Sequence, residues 1–130
     1  MPMTHAFDHL HELVQLDDAA LRRRFGPQAI GVLVVCSRLL RPQPIAGDAL
    51  TPESFVAEVR RLYADYVAGS RALGEAMGQS ADAAHRSDLV AARSVLQSLL
   101  ASCSAPFYRG IATARLESLR PDTRFSTEGA

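Results

Sequence analysis

Residues 51–85 read "TPESFVAEVRRLYADYVAGSRALGEAMGQSADAAH", and this stretch decides the fold. Phe55, Val59, Leu62, Tyr66, Leu73 and Met77 follow in alternating steps of four and three, with one double step of seven. Residues three and four apart share a face of an α-helix, so these six form one apolar stripe. Thr51 offers a side-chain cap. Pro52 suits the first helical position, where a missing N–H costs nothing, and Glu53 suits the positive end of the helix dipole. The spacing predicts one long helix from Pro52 to about His85. Ala68, Gly69, Ser70 and Ala72 interrupt the large side chains. A mid-helix glycine costs about 1 kcal/mol against alanine, and we read Gly69 as a place where a neighbouring backbone approaches closely.

Before this helix, "RPQPIAGDALTP" (41–52) holds three prolines and a glycine, which forbid a continuous helix. "PQAIGVLVVCSRLL" (27–40) is the most apolar segment. Its run Val32–Val35 has strand propensity, yet a lone strand has nothing to pair with in a chain that otherwise reads helical. It is therefore expected to be a third helix, central and buried on several sides. Two shorter helices precede it. The first runs from a Thr4 cap to about Leu16, with Leu10, Leu13 and Val14 on one face. The second is capped by Asp17 or Asp18, carries Arg22, Arg23 and Arg24 in its last turn, and stops at Gly26 before Pro27 opens the next.

After the long helix, "RSDLVAARSVLQSLLASC" (86–103) restarts the pattern, with Ser87 as cap and Leu89, Ala92, Leu96, Leu99, Leu100 and Cys103 as its stripe. In "SAPFYRGIATARLESL" (104–119), Pro106 has no donor for the Ser102 carbonyl and biases Ala105 away from helix. A break at Ser104–Ala105 follows, with Ser104 capping a last helix from about Pro106 to Leu119. Phe107, Ile111 and Ala114 are expected to face the core, with Tyr108 and Arg109 at the rim. The expected fold is all-α: a single irregular bundle of five or six helices over residues 1–120, the long fourth helix packed antiparallel on the fifth. Residues 121–130 are expected to form a loose tail.

Composition narrows the function classes. Fourteen basic residues, all Arg, balance fourteen acidic ones, so no global field draws in nucleic acid or an anionic membrane. Apolar residues at 48% and charged residues at 22% are ordinary for a globular protein. The start "MPMTHAFDHLHEL" shows no basic segment followed by an apolar one, and the run Ile30–Val35 is too short to span a bilayer. Cytoplasm is the expected compartment. Cys36 and Cys103 sit among apolar neighbours and read as buried free thiols.

The remaining constellations have structural explanations. His5 and His9 lie one helical turn apart, with Asp8, His11 and Glu12 nearby, and could share a metal. A solvated, partly capping terminal helix is the simpler account, so no metal is assigned. Arg22–Arg24 fan around a helix end rather than forming a phosphate stripe. Asp17–Asp18 are explained by a helix start, and His85 by a helix C-terminus. No nucleophile lies in a recognisable elbow, and no cofactor motif is present. Tyr66, Arg71, Tyr108 and Arg109 are the candidate partner or ligand surface. Tyr63, Tyr66, Phe107 and Tyr108 read first as core aromatics, with Arg60, Arg71 or Arg109 as partners for their hydroxyls.

Three segments carry a family resemblance. Gly69-Ser70-Arg71 with Leu73 form the first. Asp88-Leu89 with Ala92-Arg93 form the second. Pro106, Phe107, Tyr108, Arg109, Ile111, Ala112, Leu116 and Glu117 form the third. Over about Phe55 to Leu119 the chain is similar to the myxobacterial DUSAM family, a lineage-restricted set of paralogues, with Ser87 standing where that family usually has Gly. The resemblance does not extend over the N-terminal half. It implies a helical, intracellular, non-enzymatic module and brings no catalytic residue. The expected function is thus a non-catalytic protein-interaction module: an adaptor, regulator or cognate inhibitor of another protein. Homodimerisation through the long helix's stripe is a further option. The alternative is a small-molecule sensor with a Tyr/Arg-lined pocket.

Overall fold

The computed structural model describes residues 3–119, with side chains from residue 5 onward. The helices are α1 (Met3–Val14), α2 (Asp18–Arg24), α3 (Pro27–Leu40), α4 (Pro52–His85), α5 (Leu89–Ser102) and α6 (Pro106–Ser118), with a 3-10 turn at Gly47–Ala49. No strand occurs among the described residues, and the fold is all-α. The tail expected over residues 121–130 lies outside the described residues. Two compact units share α4: residues up to Gly69 with Ser104–Phe107, and Ser70–Cys103 with the chain from Tyr108 onward.

In the first unit, local chemistry sets the helix starts. The Ser54 N–H donates to Thr51 Oγ1 at 3.1 Å, and the Thr51 N–H donates back to Ser54 Oγ at 2.8 Å. This is a reciprocal cap built with a serine. Asp17 caps α2 by accepting from the Ala20 N–H at 2.8 Å. Thr4, expected as a cap, lies inside α1. Gly26, expected as the stop of α2, is extended at φ 173 and precedes α3, while Phe25 closes α2. α1 packs on α3. Leu10, Leu21, Leu33, Phe55, Val59 and Leu62 are fully buried, and Phe25 meets Phe55 edge-on at 5.6 Å.

Two polar groups tie α3 down. Buried Ser37 donates from Oγ to the Val34 carbonyl at 2.9 Å and accepts the Ile45 N–H at 2.8 Å, fastening the following loop. The Cys36 thiol donates to the Ala6 carbonyl at 3.4 Å. A Cβ on Gly47 would lie 2.9 Å from Ile30 Cγ2, so only glycine lets that turn approach α3 as closely. The expectation that α3 is buried on several sides needs correcting. Leu33, Cys36, Ser37 and Leu40 face inward, but Val35 is 40% exposed. The helix is more apolar than the face that its own unit covers.

The second unit is built differently. Ala76, Ser80 and Ala83 on α4 are buried with Ala92 and Leu96 on α5 and with Leu119. The α4 side chains and Ala92 are short, so α4 and α5 pack as antiparallel neighbours, and the Ser80 hydroxyl donates to the Ala92 carbonyl at 3.0 Å. The link between them is a left-handed helix end. Ser87 has φ 59, its N–H donates to the Ala84 carbonyl, and the Asp88 N–H reaches back to Ala83, each at 2.9 Å. Asp88 then caps α5 by accepting the Ala91 N–H at 3.1 Å. The cap is therefore Asp88 and not Ser87, whose left-handed backbone belongs to the end of α4. Leu89 departs from the expected stripe and is 42% exposed.

α6 also turns differently from expectation. Tyr108 and Ala112 are buried, Phe107 and Ile111 are half-buried, and Ala114 is exposed. Phe107 belongs to the first unit, where it meets Phe7 at 5.1 Å in an edge contact. With Phe107 directed there, the second unit's inward face of α6 starts at Tyr108.

Candidate functional site

The first unit carries a groove of about 510 Å3 on its α1–α3 face. Ala6, His9, Glu12 and Leu13 form the α1 wall, Arg24 closes one end, and Gln28, Ala29, Gly31, Val32 and Val35 form the α3 wall. The concavity exists because Ala6, Ala29 and Gly31 are small where the helices run side by side. Its floor is aliphatic. Its rim is polar, with His9 Nδ1 3.8 Å from Glu12 Oε2 on one side and Arg24 and Gln28 on the other. An apolar floor inside a polar rim suits an amphipathic segment more than a small polar metabolite.

A second depression, of about 370 Å3, lies in the second unit between α4 and α5. Glu75, Gln79, Ser94 and Ser98 line it together with Val95 and Leu99, so its surface is mixed polar and apolar.

The four residues singled out in the sequence line neither depression, and three of them have structural duties. Tyr66 stacks on Phe7 at 4.5 Å within the first unit. Tyr108 is 2% exposed, and its hydroxyl lies 2.9 Å from Ser70 Oγ. It is a core residue, which corrects its placement at the rim. Arg109 donates to the carbonyls of Leu100 and Cys103, closing the C-terminal end of α5. Arg71 is exposed and forms no ion pair among the described residues.

Arg60 does in the first unit what Arg109 does in the second. It donates to the carbonyls of Val14 and Leu16, each at 3.1 Å, and to Asp18 Oδ1 at 2.9 Å. That bond holds the exposed Asp18 carboxyl below its ordinary pKa. Arginine suits the task because its planar fork satisfies several acceptors at once.

The titratable groups favour structure over chemistry. Burial pushes the Cys36 thiol up to about 12, so it stays protonated and is a poor nucleophile at neutral pH. His11 Nδ1 lies 3.0 Å from the Tyr63 hydroxyl. Among the described residues no group of three or more His, Cys, Asp or Glu side chains is placed to hold a metal ion.

The groove-lining residues of α3 were hidden in the sequence because a strongly apolar helix reads as core. The available signal was that its apolar residues exceed a single face.

A family model, that of the proteins of unknown function DUF2379, matches residues 9–119. The chain belongs to the DUF2379 family. The DUF2379 match takes in all of α3 and α1 from His9 onward, and so most of both groove walls. It reaches well beyond the segment from Phe55 to Leu119 that carries the sequence resemblance. No curated protein and no solved structure matches the chain. No helix among the described residues is long and apolar enough to cross a membrane.

Proposed function

We propose that this chain is a non-catalytic, helical protein-interaction module that docks through the α1–α3 groove. It would act in the cytoplasm as an adaptor, regulator or cognate inhibitor of another protein. The observation that carries this reading is Val35, a large aliphatic side chain 40% exposed beside an apolar-floored groove. From Gln28 to Val35 the α3 wall rises about 10 Å, the length of two helical turns. That length accepts two or three apolar anchors of a partner helix. We further infer that the chain stands among the DUSAM-like paralogues of myxobacteria. The left-handed backbone at Ser87 supports this, because glycine is the residue favoured at such a helix end and is what that family usually carries there.

The test is affinity capture with crosslinking from native lysate, comparing the wild type with Val35→Glu. Val90→Glu serves as control, since Val90 is 81% exposed and lies in the second unit. Loss of a specific partner with Val35→Glu alone supports the reading. A partner indifferent to Val35→Glu sinks it. So does the absence of any partner together with a metabolite that strongly raises the melting temperature, which is the outcome expected of a sensor.

A further inference from the structure

The exposed face of α3 is complementary to itself. Gln28, Gly31, Val35 and Arg38 are its exposed residues beyond the first turn's Pro27. Their steps of three, four and three place them on one face of the helix, in the spacing of a coiled-coil seam. The spacing is also symmetric about residue 33. In an antiparallel pair of α3 helices related by a two-fold axis at that point, Val35 of one copy lies opposite Gly31 of the other, and the reverse. Gln28 lies opposite Arg38, so an amide oxygen meets a guanidinium donor and no like charges face each other. Pro27 lies opposite Leu39, bringing two further apolar side chains together.

Gly31 is the hole for this knob. A Cβ built there would meet nothing within 4 Å, so nothing in its own chain requires a glycine. Gly74, Gly78 and Gly110 are equally open. None of them, however, has an exposed large aliphatic residue one turn away on its own helix. At Gly31 the missing side chain lets a second helix approach the open groove, while Val35 supplies the projection that fills it. A single patch bearing both a projection and its socket is what an isologous interface requires.

We propose that the occupant of the α1–α3 face is a second copy of this chain, docked through antiparallel α3 helices with Val35 over Gly31. This inference rests on that face being a docking surface and adds that a second copy of the chain covers it when the other protein is absent. The seam from Gln28 to Arg38 is about 15 Å long. Interfaces this small belong to weak complexes, so the dimer forms and dissociates with concentration.

The experiment is sedimentation equilibrium of the full chain over a series reaching about 1 mM, with thermal melts at the lowest concentration. The wild type is expected to pass from monomer to dimer. Val35→Glu is expected to raise the dissociation constant about tenfold or more without changing the melt, and Val90→Glu to leave it unchanged. Gly31→Ala separates the seam from general destabilisation, because its two effects oppose. Alanine favours the helix, so the monomer melts higher, yet its methyl occupies the socket and the dimer weakens. A monomer at every concentration overturns the proposal, as does a dimer indifferent to both Val35→Glu and Gly31→Ala. If the chain stays monomeric while Val35→Glu still loses a captured partner, only the second-copy assignment falls. If it dimerises through this seam while capture is unaffected, the heterologous docking role falls instead.

Discussion

The two units solve the same packing problem with different side chains. The first fills its interior with volume: Phe7, Leu10, Leu13, Leu21, Leu33, Phe55 and Leu62 are buried there, and aromatic contacts link α1, α4 and the start of α6. The second removes volume. Ala76, Ser80, Ala83 and Ala92 face one another, and polar bonds from Ser80, Tyr108 and Arg109 do much of the fastening. A large-residue core tolerates some repacking but loses heavily when a side chain is deleted. A small-residue interface loses little by deletion and much by addition.

Opposite substitutions should therefore injure the two units. The largest effect is expected from Phe55→Ala, a deletion in the first core, at about 3–5 kcal/mol in denaturant unfolding. Ala83→Leu inserts bulk into the second unit and should cost about 1–3 kcal/mol by wedging α4 from α5. If Ala83→Leu proves harmless, the close approach of those helices is not required and the contrast collapses.

A smaller effect concerns Cys36 in the first unit. Burial raises its folded pKa to about 12 from the ordinary thiol value of 9.0, so the protonated thiol favours the folded state. That contribution is complete below pH 9 and is lost as pH rises from about 9 towards 12. Cys36→Ala should flatten this alkaline decline. At neutral pH a thiol reagent should label half-buried Cys103 well before Cys36.

The smallest expected effect is a gain. Ser87→Gly relieves a left-handed serine at φ 59 and should stabilise the protein by up to about 1 kcal/mol.

The helices themselves were legible in the sequence because their punctuation is local. Pro27, Pro52 and Pro106 each open a helix where expected, and Asp17 caps α2. Facing was less legible. The sequence places the inward face of α6 one residue out of phase because Phe107 and Tyr108 are both aromatic, and only the fold decides which turns into which core. Ser87 and Asp88 are both good caps in a string of letters. Backbone geometry assigns one to the end of α4 and the other to the start of α5. The groove was invisible for a related reason, since apolar content says that a surface avoids water but not whether its own chain covers it. Arg109, placed among candidate surface residues, is engaged by the two carbonyls at the end of α5, an orphaned-acceptor demand that no motif announces.

The unit boundaries fall at Gly69–Ser70, inside α4, and again on either side of residues 104–107. The chain thus passes from one unit to the other three times, and the first passage lies within an unbroken helix. No single cut yields either unit whole, and a nick at Gly69 would strand two half-helices without their continuations. Inheritance faces the same constraint. A lineage that duplicates this protein entire keeps both units, whereas moving one half onto another scaffold would leave an open core, and the family match spans residues 9–119, which take in parts of both units.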